Sequence, residues 1–147
     1  MLRSKTVASN SGAKSLARKY LISEEIFAKQ PKRIFSKQWV CVGHQSDVAA
    51  SGESFLAEFA GESVVIVRDQ RGEVRAFYKV CRHRGTRICE ESKGQFRQTI
   101  QCPDHAWTYG LDGRLLGAPH MDERQGFDKA AYSLNKINKG LLEGSFF

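Results

Sequence analysis

Four side chains of metal-binding type stand in two tight groups in this sequence, Cys81-Arg82-His83 and Cys102-Pro103-Asp104-His105. Each group brings one thiol and one imidazole, and each follows a run of strand formers into a turn-prone segment. The chain has only four cysteines and four histidines in 147 residues, so two such pairings are poorly explained as buried cysteines that happen to neighbour histidines. Two chemistries use such a donor set: one tetrahedral zinc ion, or an iron–sulfur cluster. Zinc fingers usually pair like with like, whereas here each group mixes the types and the Cys81/His83 spacing is very tight. A loop offering Cys then His can straddle two adjacent irons, giving thiolate to one and imidazole to the other. Two such loops face to face complete a [2Fe–2S] cluster, with Cys81 and Cys102 on one iron and His83 and His105 on the other. A zinc-binding module using the same two cysteines and two histidines remains the alternative.

Loops of this kind need a rigid frame. From Trp39 onward the sequence turns to short β-branched and aromatic runs, at 39–42, 55–59, 64–67, 74–80, 96–100 and 107–109. Gly61-Glu62, Asp69-Gln70-Arg71-Gly72 and Leu111-Asp112-Gly113-Arg114 separate them as turns. Many short strands at close spacing predict a mostly β, antiparallel sandwich or small barrel. The first Cys/His loop, 81–87, leaves the run at 74–80; the second, 102–109, leaves the run at 96–100. Upstream, Ser23 is a helix cap with Glu24 and Glu25 suited to the positive end of the helix dipole. Ile26, Phe27, Ile34, Phe35 and Trp39 form an apolar stripe that Pro31 should kink or split. The expected organisation is a flexible basic tail at 1–20, a helical lead-in at 21–38 and the β domain at 39–147. Of the other candidates, Cys41 reads as a small core residue alternating within a strand, Cys89 as structural, His44 as a surface or capping residue, and Trp107 as a shield packed under the second loop.

The motifs Cys-Arg-His-Arg-Gly (81–85) and Cys-Pro-Asp-His-Ala-Trp-Thr-Tyr-Gly-Leu-Asp-Gly-Arg (102–114) resemble the Rieske domain at the N-terminus of the large (α) subunit of ring-hydroxylating non-haem iron oxygenases. The similarity extends to residues 27–42, to Gly61-Glu62-Ser63-Val64-Val65-Ile66-Val67-Arg68 and to Ala76-Phe77-Tyr78-Lys79-Val80, and covers roughly residues 20–147. It implies a Rieske-type antiparallel β sandwich with a small cluster-binding subdomain, a [2Fe–2S] cofactor and one-electron transfer. The chain departs from the pattern at Asp104, where the family most often has an aromatic residue, and at Ala106, where it most often has glycine. Respiratory Rieske proteins carry a disulfide-forming cysteine in each loop, and Thr86 and Asp104 stand at those places, which implies the low-potential branch. An acid beside the second loop should lower the potential further. Tyr109 is either a hydroxyl donor to a cluster-ligating sulfur or a plain strand aromatic.

In that family hydroxylation occurs at a mononuclear iron held by two histidines and a carboxylate in a second domain. Only His44 and His120 lie outside the paired loops, both within the resemblance, so the Fe(II) site is expected to be absent from this chain. The resemblance then implies an electron-transfer part of an oxygenase, truncated within the strand at 141–147, whose end should either dock on the sheet, burying Phe146 or Phe147, or lie open. It implies a ferredoxin or flavin reductase as donor and an oxygenase catalytic domain, or a neighbouring α subunit, as acceptor. A free-standing Rieske ferredoxin is the alternative, disfavoured by the helical lead-in with Arg33-Ile34-Phe35. Arg82, Arg84 and Arg87 either offer a docking patch to an acidic redox partner or serve the loop itself.

Composition agrees with that class. The formal charge of +7 resides entirely in residues 1–37, which hold nine Lys/Arg against two acids, while residues 38–147 hold fourteen of each. A nucleic-acid binder would spread a basic face over its folded domain, so no nucleic-acid partner is expected. No apolar run approaches the ~20 residues of a membrane span, no signal-peptide core precedes the cysteines, and four cysteines are too few for a disulfide scaffold. A cytoplasmic protein with reduced cysteines is the expectation.

Overall fold

The computed structural model describes residues 15–121 and 124–147. The tail expected at 1–20 therefore lies, as far as residue 14, outside the described residues. Ser23 begins helix α2 as predicted: its backbone is extended and its Oγ accepts a hydrogen bond from Ile26 N at 3.3 Å. The short α1 (Lys19–Ile22) precedes it. The break expected at Pro31 does not occur. Helix α2 (Glu24–Arg33) runs through Pro31, and the chain turns only at Ile34 into a 3₁₀ turn, Phe35–Lys37. Pro31 stands in the last turn, where its missing N–H removes a single helical bond. The apolar stripe also differs from expectation, because neither helix fully buries a side chain, and Phe27 is 70% and Trp39 66% exposed.

Among the described residues ten short strands follow, all paired antiparallel in three sheets. The central sheet has the order β4-β3-β2-β5, from β2 (Glu53–Phe59), β3 (Glu62–Arg68), β4 (Val74–Tyr78) and β5 (Lys93–Gln95). Strand β3 explains the layering. Val64, Val65, Ile66 and Val67 are all buried, although neighbouring residues of a strand point to opposite faces. Val65 and Val67 join Phe77, Ile100, Trp107 and Tyr109 in one core. Val64 and Ile66 join Val48, Phe55, Val74 and Phe146 in another. Both faces of the central sheet are therefore covered, which is why this strand is a continuous apolar run instead of an alternating one.

The first core is closed by a small sheet, β6 (Thr99–Gln101), β7 (Thr108–Gly110) and β8 (Leu115–Gly117), in the order β6-β7-β8. The β7–β8 turn presses on the central sheet at Gly113. Its φ is +86°, and a Cβ there would lie 2.4 Å from the Phe77 ring, so only glycine fits. The second core is closed by β1 (Gly43–His44), β9 (Leu141–Leu142) and β10 (Ser145–Phe146), with β10 in the middle. Of the two outcomes expected for residues 141–147, docking is observed, and Phe146 is 3% exposed. Cys41 is a correction to its reading as core: it is exposed, because pairing starts only at Gly43 and residues 39–42 are tied just by Val42 N to Phe146 O. Among the described residues no helix is long and apolar enough to cross a membrane.

Candidate metal centre

Both Cys/His loops emerge on the small-sheet side of the molecule and share one backbone frame. In the first, Cys81 O accepts from Gly85 N at 3.0 Å and Cys81 N donates to Thr86 O at 2.8 Å. In the second, Cys102 O accepts from Ala106 N at 3.1 Å and Cys102 N donates to Trp107 O at 2.8 Å. The fourth residue after each cysteine is left-handed, Gly85 at φ +79° and Ala106 at φ +56°. The frame explains why this position favours glycine and marks Ala106 as a residue in a conformation that costs an L-amino acid ~1 kcal/mol.

The frame turns the thiols inward and leaves the imidazoles outside. Cys81 and Cys102 are 3% and 2% exposed, within the core that contains Tyr109 and Trp107. His105 is 42% exposed, and its ring meets His83 edge to face at a centroid separation of 4.6 Å. His83 stacks on Trp107 at 4.8 Å, and Trp107 in turn abuts Phe127 and Tyr132. Trp107 thus lies beneath the loops, as expected. The Tyr109 hydroxyl does reach the Cys81 sulfur, so the residue is more than a plain strand aromatic. The Tyr109 Oη lies 3.1 Å from Cys81 Sγ and accepts from Arg82 N at 3.1 Å, so its own proton is free to point at the sulfur. A register shift in the β7–β8 pairing, with Leu116 of β8 the extra residue opposite Thr108 and Tyr109, accompanies this placement.

The residue that follows each loop's left-handed position reaches to the other loop. Trp107 touches His83, and Thr86 donates to Asp104 Oδ2 at 3.1 Å. The same carboxylate oxygen is 2.8 Å from His105 Nδ1. Thr86 and Asp104 stand at the places where respiratory Rieske proteins carry their disulfide cysteines, and here a hydrogen bond joins them.

The electrostatics follow from burial. Burial pushes the Cys81 thiol up from its ordinary 9.0, and the neighbouring Cys102 adds to this against the opposing hydrogen bonds from Tyr109 and the His83 backbone. Burial, then the His105 and Arg84 charges, hold His83 below its ordinary 6.5. Burial likewise pushes up Cys89, which is half-buried at the edge of the same core. Cys81, buried beside a second thiol, resists ionisation unless a cation lies against it, which is the demand a metal cluster meets. The donors also stand as a thiol pair and an imidazole pair. One thiol and one imidazole from each loop is a donor set that suits a two-iron cluster. His44 has another task, accepting from Ser46 N as the cap of the 3₁₀ turn Gln45–Val48, as its position predicted.

Fold and paired loops together are those of a small iron–sulfur electron-transfer domain. Residues 38–136 match the Rieske [2Fe-2S] domain family, and the chain belongs to it. It is homologous to the N-terminal Rieske domain of oxygenase α subunits. It is 36% identical over 126 residues to the glycine betaine monooxygenase oxygenase subunit of Chromohalobacter salexigens, covering 86% of this chain and 28% of that one. Against the carnitine monooxygenase oxygenase subunit of Acinetobacter baumannii it is 37% identical over 128 residues, covering 87% and 34%. The quaternary ammonium Rieske monooxygenase CntA in complex with L-carnitine superposes with a TM-score of 0.81 at 34% identity, over 88% of this chain and 36% of that one. Naphthalene 1,2-dioxygenase from Rhodococcus sp. follows at 0.77 and 28% identity, over 83% and 28%. The chain spans about a third of the length of the relatives it matches.

Proposed function

We propose that this chain is the one-electron relay of a Rieske oxygenase α subunit, with Cys81 and Cys102 bound to one iron of its [2Fe–2S] cluster and His83 and His105 to the other. The observation that carries the reading is the shared loop frame, with thiols buried and imidazoles at the rim. When bound, the cluster supplies a one-electron redox couple in the range open to mixed cysteine and histidine ligation. The chain's own residues do the rest. Burial of Cys81 and Cys102 over Trp107 excludes water from the sulfur side. Tyr109 Oη directs a proton at Cys81 Sγ. His105 at the exposed rim is where donor and acceptor approach, and electron transfer needs close approach because tunnelling weakens steeply with distance. The donor proposed is a ferredoxin or flavin reductase. The acceptor is a mononuclear-iron oxygenase domain, in the same or a neighbouring subunit. The named relatives with the higher identities act on glycine betaine and carnitine, so a quaternary ammonium oxygenase is proposed as the system served.

Iron and acid-labile sulfide analysis with a visible spectrum tests the cofactor directly. About two irons and two sulfides per chain, lost in Cys81→Ser and in Cys102→Ser, are expected. A colourless protein holding one zinc would overturn the reading.

A further inference from the structure

The two loops differ in length between cysteine and histidine yet keep the same frame, so something beyond the shared backbone bonds must hold them in register. Besides the meeting of the His83 and His105 rings and the contacts of Tyr109 with Cys81 and Arg82, two contacts made by the residue after each left-handed position do so. One is the packing of Trp107 against His83. The other is polar, Thr86 Oγ1 to Asp104 Oδ2 at 3.1 Å. Thr86 is half-buried and Asp104 is 42% exposed, so the bond lies at the outer lip of the site, above the inward thiols. Each residue is anchored locally. The backbone of Thr86 accepts from Cys81 N, and Asp104 is two residues beyond Cys102 and adjacent to His105. The bond therefore joins the base of one proposed ligand loop to the tip of the other.

We infer that Thr86 and Asp104 form a polar clasp that keeps the two loops closed over the cluster, and that Asp104 separately sets the potential through its charge. Both are positioning residues, and the inference rests on the ligand assignment proposed above. Opening the lip would let solvent and chelators reach the buried thiols, so the clasp governs how fast iron is lost. The carboxylate acts differently. Reduction adds negative charge between the loops, and a fixed negative charge beside His105 opposes it at the same distance whether or not the clasp is closed.

The two roles separate by substitution in the loaded protein. Thr86→Val removes the hydroxyl at nearly constant shape, and Thr86→Ser restores it. Asp104→Asn keeps an acceptor oxygen but no charge, while Asp104→Ala removes both. The rate at which visible absorbance bleaches in excess iron chelator reads the clasp, and the midpoint potential reads the charge. Thr86→Val and Asp104→Ala should each bleach about fivefold faster, the factor that about 1 kcal/mol represents. Thr86→Ser and Asp104→Asn should bleach at the parent rate. The Thr86→Val/Asp104→Ala double variant should be no faster than either single change, since both remove one contact. The potential should rise in Asp104→Asn and Asp104→Ala and stay at the parent value in Thr86→Val. Parent-like bleaching of both Thr86→Val and Asp104→Ala, or additive acceleration in the double variant, overturns the clasp. A potential unmoved in Asp104→Asn overturns the charge role. A parent protein lacking a Rieske spectrum instead defeats the ligand assignment, so the two failures are distinguishable.

Discussion

Replacing Tyr109 with phenylalanine changes one atom at the best-defined polar contact of the site. The ring is fully buried, with 0% exposure, and its Oη is 3.1 Å from both Cys81 Sγ and Arg82 N. Arg82 N can only donate, which leaves the phenolic proton for the sulfur. Burial first, and then the Cys81 thiol, hold that proton well above the ordinary tyrosine value of 10.0. Tyr109 therefore remains a donor at every pH at which the protein is handled. A hydrogen bond to a charged acceptor contributes about 1.5–3 kcal/mol in a protein interior. The bond exists in both oxidation states, but the sulfur carries more negative charge after reduction and holds the proton more strongly. If the difference between states is about 1 kcal/mol, then at about 59 mV per 1.4 kcal/mol for one electron the variant's potential falls by about 40 mV. Arg82 N, part-buried, also loses its acceptor, a cost of about 1 kcal/mol in global stability. Spectropotentiometric titration beside the parent measures the first effect, and denaturant unfolding of the same samples measures the second. A Tyr109→Phe protein with the parent visible spectrum and an unchanged or higher potential would refute the reasoning. A shift that vanished above neutral pH would do so too, because the hydroxyl would then be titrating.

Three further outcomes are expected. Asp69 is 3% exposed, and its carboxylate accepts from Arg71 N, Glu73 N and Arg75 Nε at 2.8–2.9 Å. Burial opposes its ionisation, but the Arg75 guanidinium and the two backbone N–H groups outweigh burial and hold it below its ordinary 3.8. That contribution is present above the unfolded value and lost as pH falls through the folded one. Asp69→Asn should cost about 1–3 kcal/mol near neutrality by urea unfolding, with the gap to the parent closing below about pH 4; a gap independent of pH would contradict this. Ala106→Gly should stabilise by up to about 1 kcal/mol and Gly85→Ala should destabilise by about as much, since both sites are left-handed. The same sign for both in thermal melts would show that the loops do not share their frame. Phe146→Ala should lose about 3–5 kcal/mol because the ring is buried against Val48 and Phe55, and a loss under about 1 kcal/mol would show that β10 does not dock.

Much of this arrangement was legible in the chain because it is written in local chemistry. Ser23 and His44 cap the elements that their positions announced, and the turn at Asp69 closes through its own carboxylate as an Asx residue should. The paired loops were visible because metal ligands must be of particular types at close spacing. What escaped depends on partners distant in sequence. Cys41 alternates with apolar neighbours as a core strand residue would, yet no strand pairs with it. The stripe on α2 is amphipathic, but none of its residues is fully buried by the described chain. The two-sided burial of β3 leaves a trace in the sequence, since four consecutive β-branched residues are unusual for a sheet with one wet face.

The loops themselves carry the most telling asymmetry. Both frames place the left-handed residue four positions after the cysteine and the cross-loop residue five after it. The histidine, however, comes two positions after Cys81 and three after Cys102. Were the spacings equal, the two imidazoles would stand in equivalent places on equivalent loops. His105 stands one place further along its loop than His83 does along the other, and the two rings meet edge to face, at 90°. Position 104, two residues after Cys102, is the frame counterpart of His83 and holds the carboxylate that Thr86 reaches. Asp104 makes none of the backbone bonds of the shared frame, which run through Cys102, Ala106 and Trp107. A substitution there can alter charge and loop closure while leaving the thiols and their backbone bonds as they are.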